Sequence, residues 1–142
     1  SATAYFLGLA QKSGAGDLVE RTFTVEFAKD PASSRWDSDG AMILYRKILE
    51  KYAPQLNASD YLNFYGVAAA EAFVELLSAA GPNPTREGIV KAYRNWDQQN
   101  PFLIPGNKQH TDSTSQFPIT GEMIVKFTDG AFVPVSRLKF PR

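Results

Sequence analysis

The chain has 142 residues, 44% of them apolar and 21% charged, which is enough to bury a core and unlike a disordered composition. Fifteen lysines and arginines balance fifteen aspartates and glutamates, so the basic surplus that binding a phosphate backbone needs is missing and nucleic acid is not an expected partner. With no cysteine and a single histidine, His110, disulfides, thiolate chemistry and a histidine-based zinc site drop out, and neither a metal nor a cofactor is expected.

Taken in chain order, Tyr5 to Ala10 opens a short helix or strand, and Gly14 and Gly16 flank a turn. From Val19 to Phe27 apolar and polar residues alternate, the pattern of a half-buried strand. Lys29-Asp30-Pro31 and the serines after it read as an irregular connector. A first long helix is predicted from Ser38 to Tyr52, with Ala41, Tyr45, Ile48, Leu49 and Tyr52 on one face, acids near its start and Pro54 as its stop. In the second helix, Tyr61, Tyr65, Ala68, Ala69, Ala72, Phe73, Leu76, Leu77 and Ala80 trace one stripe that should be mostly buried. Ser59 or Asp60 caps it and Gly81-Pro82 ends it. Its run from Gly66 to Gly81 is interrupted by Glu71 and Glu75 and is too short to span a membrane. A third helix follows Thr85, burying Ile89, Val90, Tyr93 and Trp96. A long polar loop runs from Asp97 to Gln116, and long loops of this kind are often functional. The Asp129-Gly130 pair between two apolar runs predicts a closing hairpin, Met123 to Phe127 and Ala131 to Val135.

Three helices this amphipathic need a sheet to cover, and the predicted strands are too few to supply it. The sequence resembles the type I periplasmic solute-binding proteins of ABC transporters, the Leu/Ile/Val-binding group and its relatives for aromatic and other organic acids. The resemblance rests on Lys29-Asp30-Pro31, Glu50 to Pro54, Asn63 to Ala70, Thr85-Arg86-Glu87, Leu103 to Gly106, Gln116 to Ile119 and Phe127 to Gly130, in the family's order and at roughly its spacing. It covers nearly the whole chain, but family members are longer and two-lobed. It therefore implies an α/β fold of the type I periplasmic-binding-protein kind, present as a C-terminal fragment contributing to both lobes. Residues 1–28 would belong to the second lobe, 29–122 to the first, and 123–142 would return to the second. The connector from Lys29 to Ser34 would be one hinge crossing.

The implied function is extracytoplasmic capture of a small-molecule solute, an amino acid or an aromatic or organic acid, between hinged lobes. The partners would be a membrane permease and either the N-terminal remainder of the same protein or a second copy. The location would be periplasmic or otherwise extracytoplasmic, free or lipid-anchored. Ser1 and Thr3 would lie on a strand-end loop facing the cleft, where a hydroxyl could bond a ligand carboxylate. Asn63 and Tyr65 would open the second helix near the lobe interface; Tyr65 also sits on the apolar stripe, where an aromatic is simply core. No catalytic group is needed or expected. Asp37 and Asp39 sit at a helix start and read as caps, and His110, Asp112, Ser113 and Ser115 only superficially resemble a hydrolytic triad. A ligand-sensing receptor ectodomain and a free-standing α/β interaction domain are the alternatives.

Overall fold

A computed structural model describes residues 4–140, with the side chains of residues 4, 5 and 17 not described. Helix α1 (Ala4–Ala10) runs through a wide turn over Gln11–Ala15 into the short α2 (Gly16–Val19), and Gly14 supplies the positive φ of 92° that the kink requires. Strand β1 is Phe23–Glu26, less than half the length that the alternation predicts. Its expected first residues are diverted because Val19 closes a helical turn, Arg21 adopts φ 68° and Thr22 N–H donates back to the Val19 carbonyl.

Helix α3 (Gly40–Tyr52) starts where Asp39 accepts from the backbone N–H of Ala41 and Met42, both at 3.1 Å. It buries Met42, Tyr45 and Leu49 and leaves Tyr52 exposed. Helix α4 (Tyr61–Ala80), capped by Asp60, ends at Gly81 with φ 91°. Its buried residues are Phe64, Ala68 and Leu76, whereas Tyr65 is 48% and Phe73 54% exposed. This corrects the expected stripe. The covered face is rotated towards Phe64, because α3 and the segment around Phe102 approach from that side and nothing among the described residues covers Tyr65, Ala69 and Phe73. Helix α5 (Arg86–Tyr93), capped by the Thr85 hydroxyl, buries no residue fully, and Val90 is 43% exposed. Trp96 is buried but lies beyond the helix end.

The expected long loop is partly ordered by two short paired strands, β2 (Asp97–Gln98) and β3 (Gln109–His110). Strands β4 (Met123–Thr128) and β5 (Ala131–Pro134) form the predicted hairpin around Asp129 (φ 52°) and Gly130 (φ 81°), a two-residue turn whose handedness matches the strand twist. With β1 they make an antiparallel sheet in the order β1-β4-β5, Glu26 facing Met123 and Thr128 facing Ala131.

Two apolar clusters form. The larger joins Ala28, Trp36, Met42, Tyr45, Leu49, Phe64, Ala68, Phe102 and Leu103, with Phe64 edge-on to both Tyr45 (5.4 Å) and Phe102 (5.7 Å). Burial pushes the Tyr45 hydroxyl up to about 12, assisted by Asp60, and that hydroxyl donates to the Ala58 carbonyl at 3.0 Å. The smaller cluster lies on one face of the sheet: Ile104, Met123, Val125, Phe127 and Phe132, with Leu7 and Val19 against it.

Candidate functional site at the chain crossings

The two clusters are joined at three places along the chain: after β1 at Phe27–Ala28, at Leu103–Ile104, and from Ile119 to Met123. Backbone bonds lace these passes together. Lys29 N–H donates to the Phe102 carbonyl at 3.0 Å and Ile104 N–H to the Phe27 carbonyl at 3.2 Å. The Asn107 side chain, 2% exposed, spans the other two: its Nδ2 donates to the Phe27 carbonyl (3.1 Å) and the Gly121 carbonyl (2.8 Å). Gly121 is a glycine for steric reasons, since a Cβ there would press on the Asn107 side chain and stand 2.8 Å from Phe140 Cε1.

Charge is concentrated beside the first pass. Lys29, a residue 5% exposed, donates to both Asp39 carboxylate oxygens (2.8 and 2.7 Å) and to the Pro101 carbonyl (2.8 Å), so its ammonium is fully partnered. Partial burial pushes the Asp39 carboxyl upward, but the bonds and charge of Lys29 and the two helix N–H groups outweigh it and hold the group below its usual range. Asp30 is also 5% exposed; its Oδ1 accepts from Ala32 N–H, and its Oδ2 has no partner. Burial drives its carboxyl upward. Glu26, at the end of β1, is raised to about 7 by burial first and by the Asp30 charge second, with Arg35 opposing. Tyr61 at the head of α4 is raised by burial and by these two acids. Arg35 lies over the Trp36 ring at 4.4 Å from its centroid.

Alongside α4 runs an apolar groove of about 280 Å³. Tyr65, Ala69, Ala72 and Phe73 line one wall, and Tyr93 and Trp96 lie across it. Its polar groups are few: Asn100 is consumed by Ala68 and Phe102, and the buried Trp96 Nε1 has no acceptor. A donor without an acceptor beside an open apolar wall marks an unfinished contact.

No protein-family model and no curated protein matches the sequence. Among solved structures, a branched chain amino acid ABC transporter protein from Thermus thermophilus, crystallised with bound valine, superimposes with a TM-score of 0.69 at 20% identity. The superposition covers 97% of this chain and 43% of that one. The chain has the type I periplasmic-binding-protein fold. It spans less than half the length of the protein it matches.

Of the residues proposed as ligand contacts, Asn63 and Tyr65 lie among the described residues, in the first turns of α4. Asn63 is tied down by its own Nδ2, which donates to the Asn57 carbonyl at 3.0 Å. Tyr65 stacks on Tyr61 with ring centroids 6.4 Å apart and lines the groove. Ser1 and Thr3 lie outside the described residues. The serine-histidine-aspartate grouping is a turn. Asp112 Oδ1 accepts from Thr114 N–H, Thr114 Oγ and Ser115 N–H at 2.7, 2.7 and 2.9 Å, which holds its carboxyl far below the usual range. The His110 ring lies between two carboxylates, Asp112 at 3.4 Å and Asp97 at 3.8 Å. Among the described residues no helix is long and apolar enough to cross a membrane.

Asn107, Glu26 and the buried setting of Asp30 were not singled out by the sequence. Asn107 sits in a Pro-Gly-Asn-Lys stretch with the composition of a surface turn, and only its tertiary partners reveal it. Glu26 occupies the polar phase of a strand, where solvent is the default expectation.

Proposed function

We propose that this chain is part of the extracytoplasmic solute-binding component of an ABC importer. In this reading the cluster around Tyr45 and Phe64 belongs to one lobe and the sheet cluster to the other. Residues 1–28 and 123–142 would build one lobe and 29–122 the other, with Ile104 of the middle stretch packing on the sheet cluster. Closure about the laced crossings traps the solute, and the chemistry is desolvation and hydrogen bonding, with no catalytic step. The observation that carries the proposal is the fold likeness to a branched chain amino acid ABC transporter protein with bound valine, together with three stretches of chain joining two separate apolar clusters.

The solute would be an amino acid or a related aromatic or organic acid, with Tyr65 a candidate stacking surface for an aromatic one. The bare flank of α4 would be covered by the remainder of the same receptor, for which the small side chains Ala69 and Ala72 leave room for close approach. The membrane permease would be the docking partner. Calorimetry on a full-length receptor containing this chain, with branched-chain and aromatic amino acids and aromatic acids as titrants, tests the reading. Micromolar or tighter binding of one of them is expected, and the isolated chain should bind at least about a hundredfold more weakly because a two-lobed cleft needs both walls. No heat from any titrant, or full affinity in the isolated chain, would overturn it.

A further inference from the structure

We propose that Glu26 and Asp30 form a proton-responsive element in the crossings, one that holds the three passes laced when Glu26 is neutral and loosens them when it is charged. This rests on the two-lobed reading only where closure is concerned; the loosening itself is a property of the chain as it stands.

Three observations converge. The first is position: Glu26 is the last residue of β1, and Asp30 lies four residues on, so the pass between the clusters runs between the two acids. Two of the lacing bonds, at the Phe27 carbonyl and Lys29 N–H, lie inside this interval. The second is an unmet need: Asp30 Oδ2 is buried without a partner, and the cation nearest in sequence, Lys29, is spent on Asp39 and Pro101. A second negative charge beside it is offset only in part, by Arg35. The third is the set of facing groups. Asp30 and Arg35 from the connector and Tyr61 from α4 are the charged or titratable groups that act on Glu26 or are acted on by it. Across the sheet β4 presents the uncharged Met123. Arg35 opposes the repulsion but also lies over Trp36.

The sign follows from the raised proton affinity. Glu26 holds its proton to about pH 7 here, against an ordinary value of 4.5. The laced arrangement is thus most favoured at acid pH and loses stability as pH rises through about 7, where the carboxylate gains by moving into water. Opening the crossings is the local motion that hydrates it.

Hydrogen exchange at the Lys29 and Ile104 amides, corrected for the intrinsic pH dependence of exchange, reads the lacing directly and needs no solute. Between pH 6 and pH 8 protection should fall about tenfold, the equilibrium equivalent of one unit of unmatched proton affinity. Glu26→Gln, isosteric and uncharged, should keep protection at its acid level at both pH values. Asp30→Asn removes the neighbouring charge, so the transition should persist with its midpoint moved towards acid, a response that a purely structural role of Asp30 would not produce. Protection independent of pH in the wild type, or an unchanged fall in Glu26→Gln, overturns the proposal. For the full receptor, amino-acid affinity should change several-fold over the same interval and not in Glu26→Gln. PH-independent affinity alongside a pH-dependent lacing would overturn the link to closure. No binding at either pH would instead count against the solute-receptor reading, leaving the exchange result to stand alone.

Discussion

The two flanks of α4 carry similar side chains and meet different fates. Phe64 is fully buried between Tyr45 and Phe102, and Ala68 behind it lends its carbonyl to Asn100. Tyr65 and Phe73, on the adjoining face, are about half exposed beside an apolar groove. Hydrophobic periodicity reports that a face is destined for burial, not what buries it. On one flank the cover comes from this chain; on the other it does not. The contrast is a local measure of how much of the cover for α4 the described residues supply.

The sharpest way to break this comparison is truncation on the covered flank. Phe64→Ala should destabilise the chain by about 3–5 kcal/mol, since it removes the ring that joins α3, α4 and the Phe102 segment. Chemical denaturation of the chain measures it. A loss below about 1 kcal/mol would mean that this cluster is not a packed core and that the two flanks are equivalent.

Asn107 offers an intermediate test away from the helix. Asn107→Ala deletes a donor shared by two passes and strands the Phe27 and Gly121 carbonyls, with an expected cost of about 1–3 kcal/mol. Asn107→Asp should be at least as harmful, because a carboxylate offers no N–H to either carbonyl and adds a buried charge. Gly121→Ala should mimic it by forcing Asn107 aside. Equal thermal stability of all three variants and the wild type would show that the lacing contributes little beyond its backbone bonds.

Much of the fold was visible in the sequence where a local rule had no competitor. Asp39, Asp60 and Thr85 stand where caps were expected, Gly81 ends α4, and Asp129-Gly130 turns the hairpin. Local rules failed where a tertiary contact decided. Val19 to Thr22 alternates like a strand but closes a turn, because the Arg21 N–H finds its partner on Phe127. Asp97 to Gln116 looks like solvent-exposed loop, yet it buries Phe102, Leu103, Asn107 and Thr111 because this segment crosses between the clusters. The Thr111 hydroxyl bonds back to the Tyr93 carbonyl across eighteen residues, a distance no pattern reaches. The candidate site was less visible still. Tyr65 was proposed from its place on a helix, whereas the setting of Glu26 and Asn107 comes from tertiary packing that no local pattern carries.

The smallest expected effect is the one that sharpens the comparison most. Phe73→Ala on the bare flank should change the stability of the isolated chain by less than about 1 kcal/mol, because half of the ring is already in water and few contacts are lost. The same change in a full-length receptor should cost appreciably more, in the range of about 2–4 kcal/mol, if the remainder of the protein lies over the groove and completes the environment of Trp96 Nε1. The difference between the two costs isolates the covering contact from everything intrinsic to α4, since the helix, its caps and its own neighbours are common to both. Equal and small costs in both contexts would mean that the groove stays open in the assembled protein. The bare flank would then be a solvent-exposed surface and not the seat of missing structure.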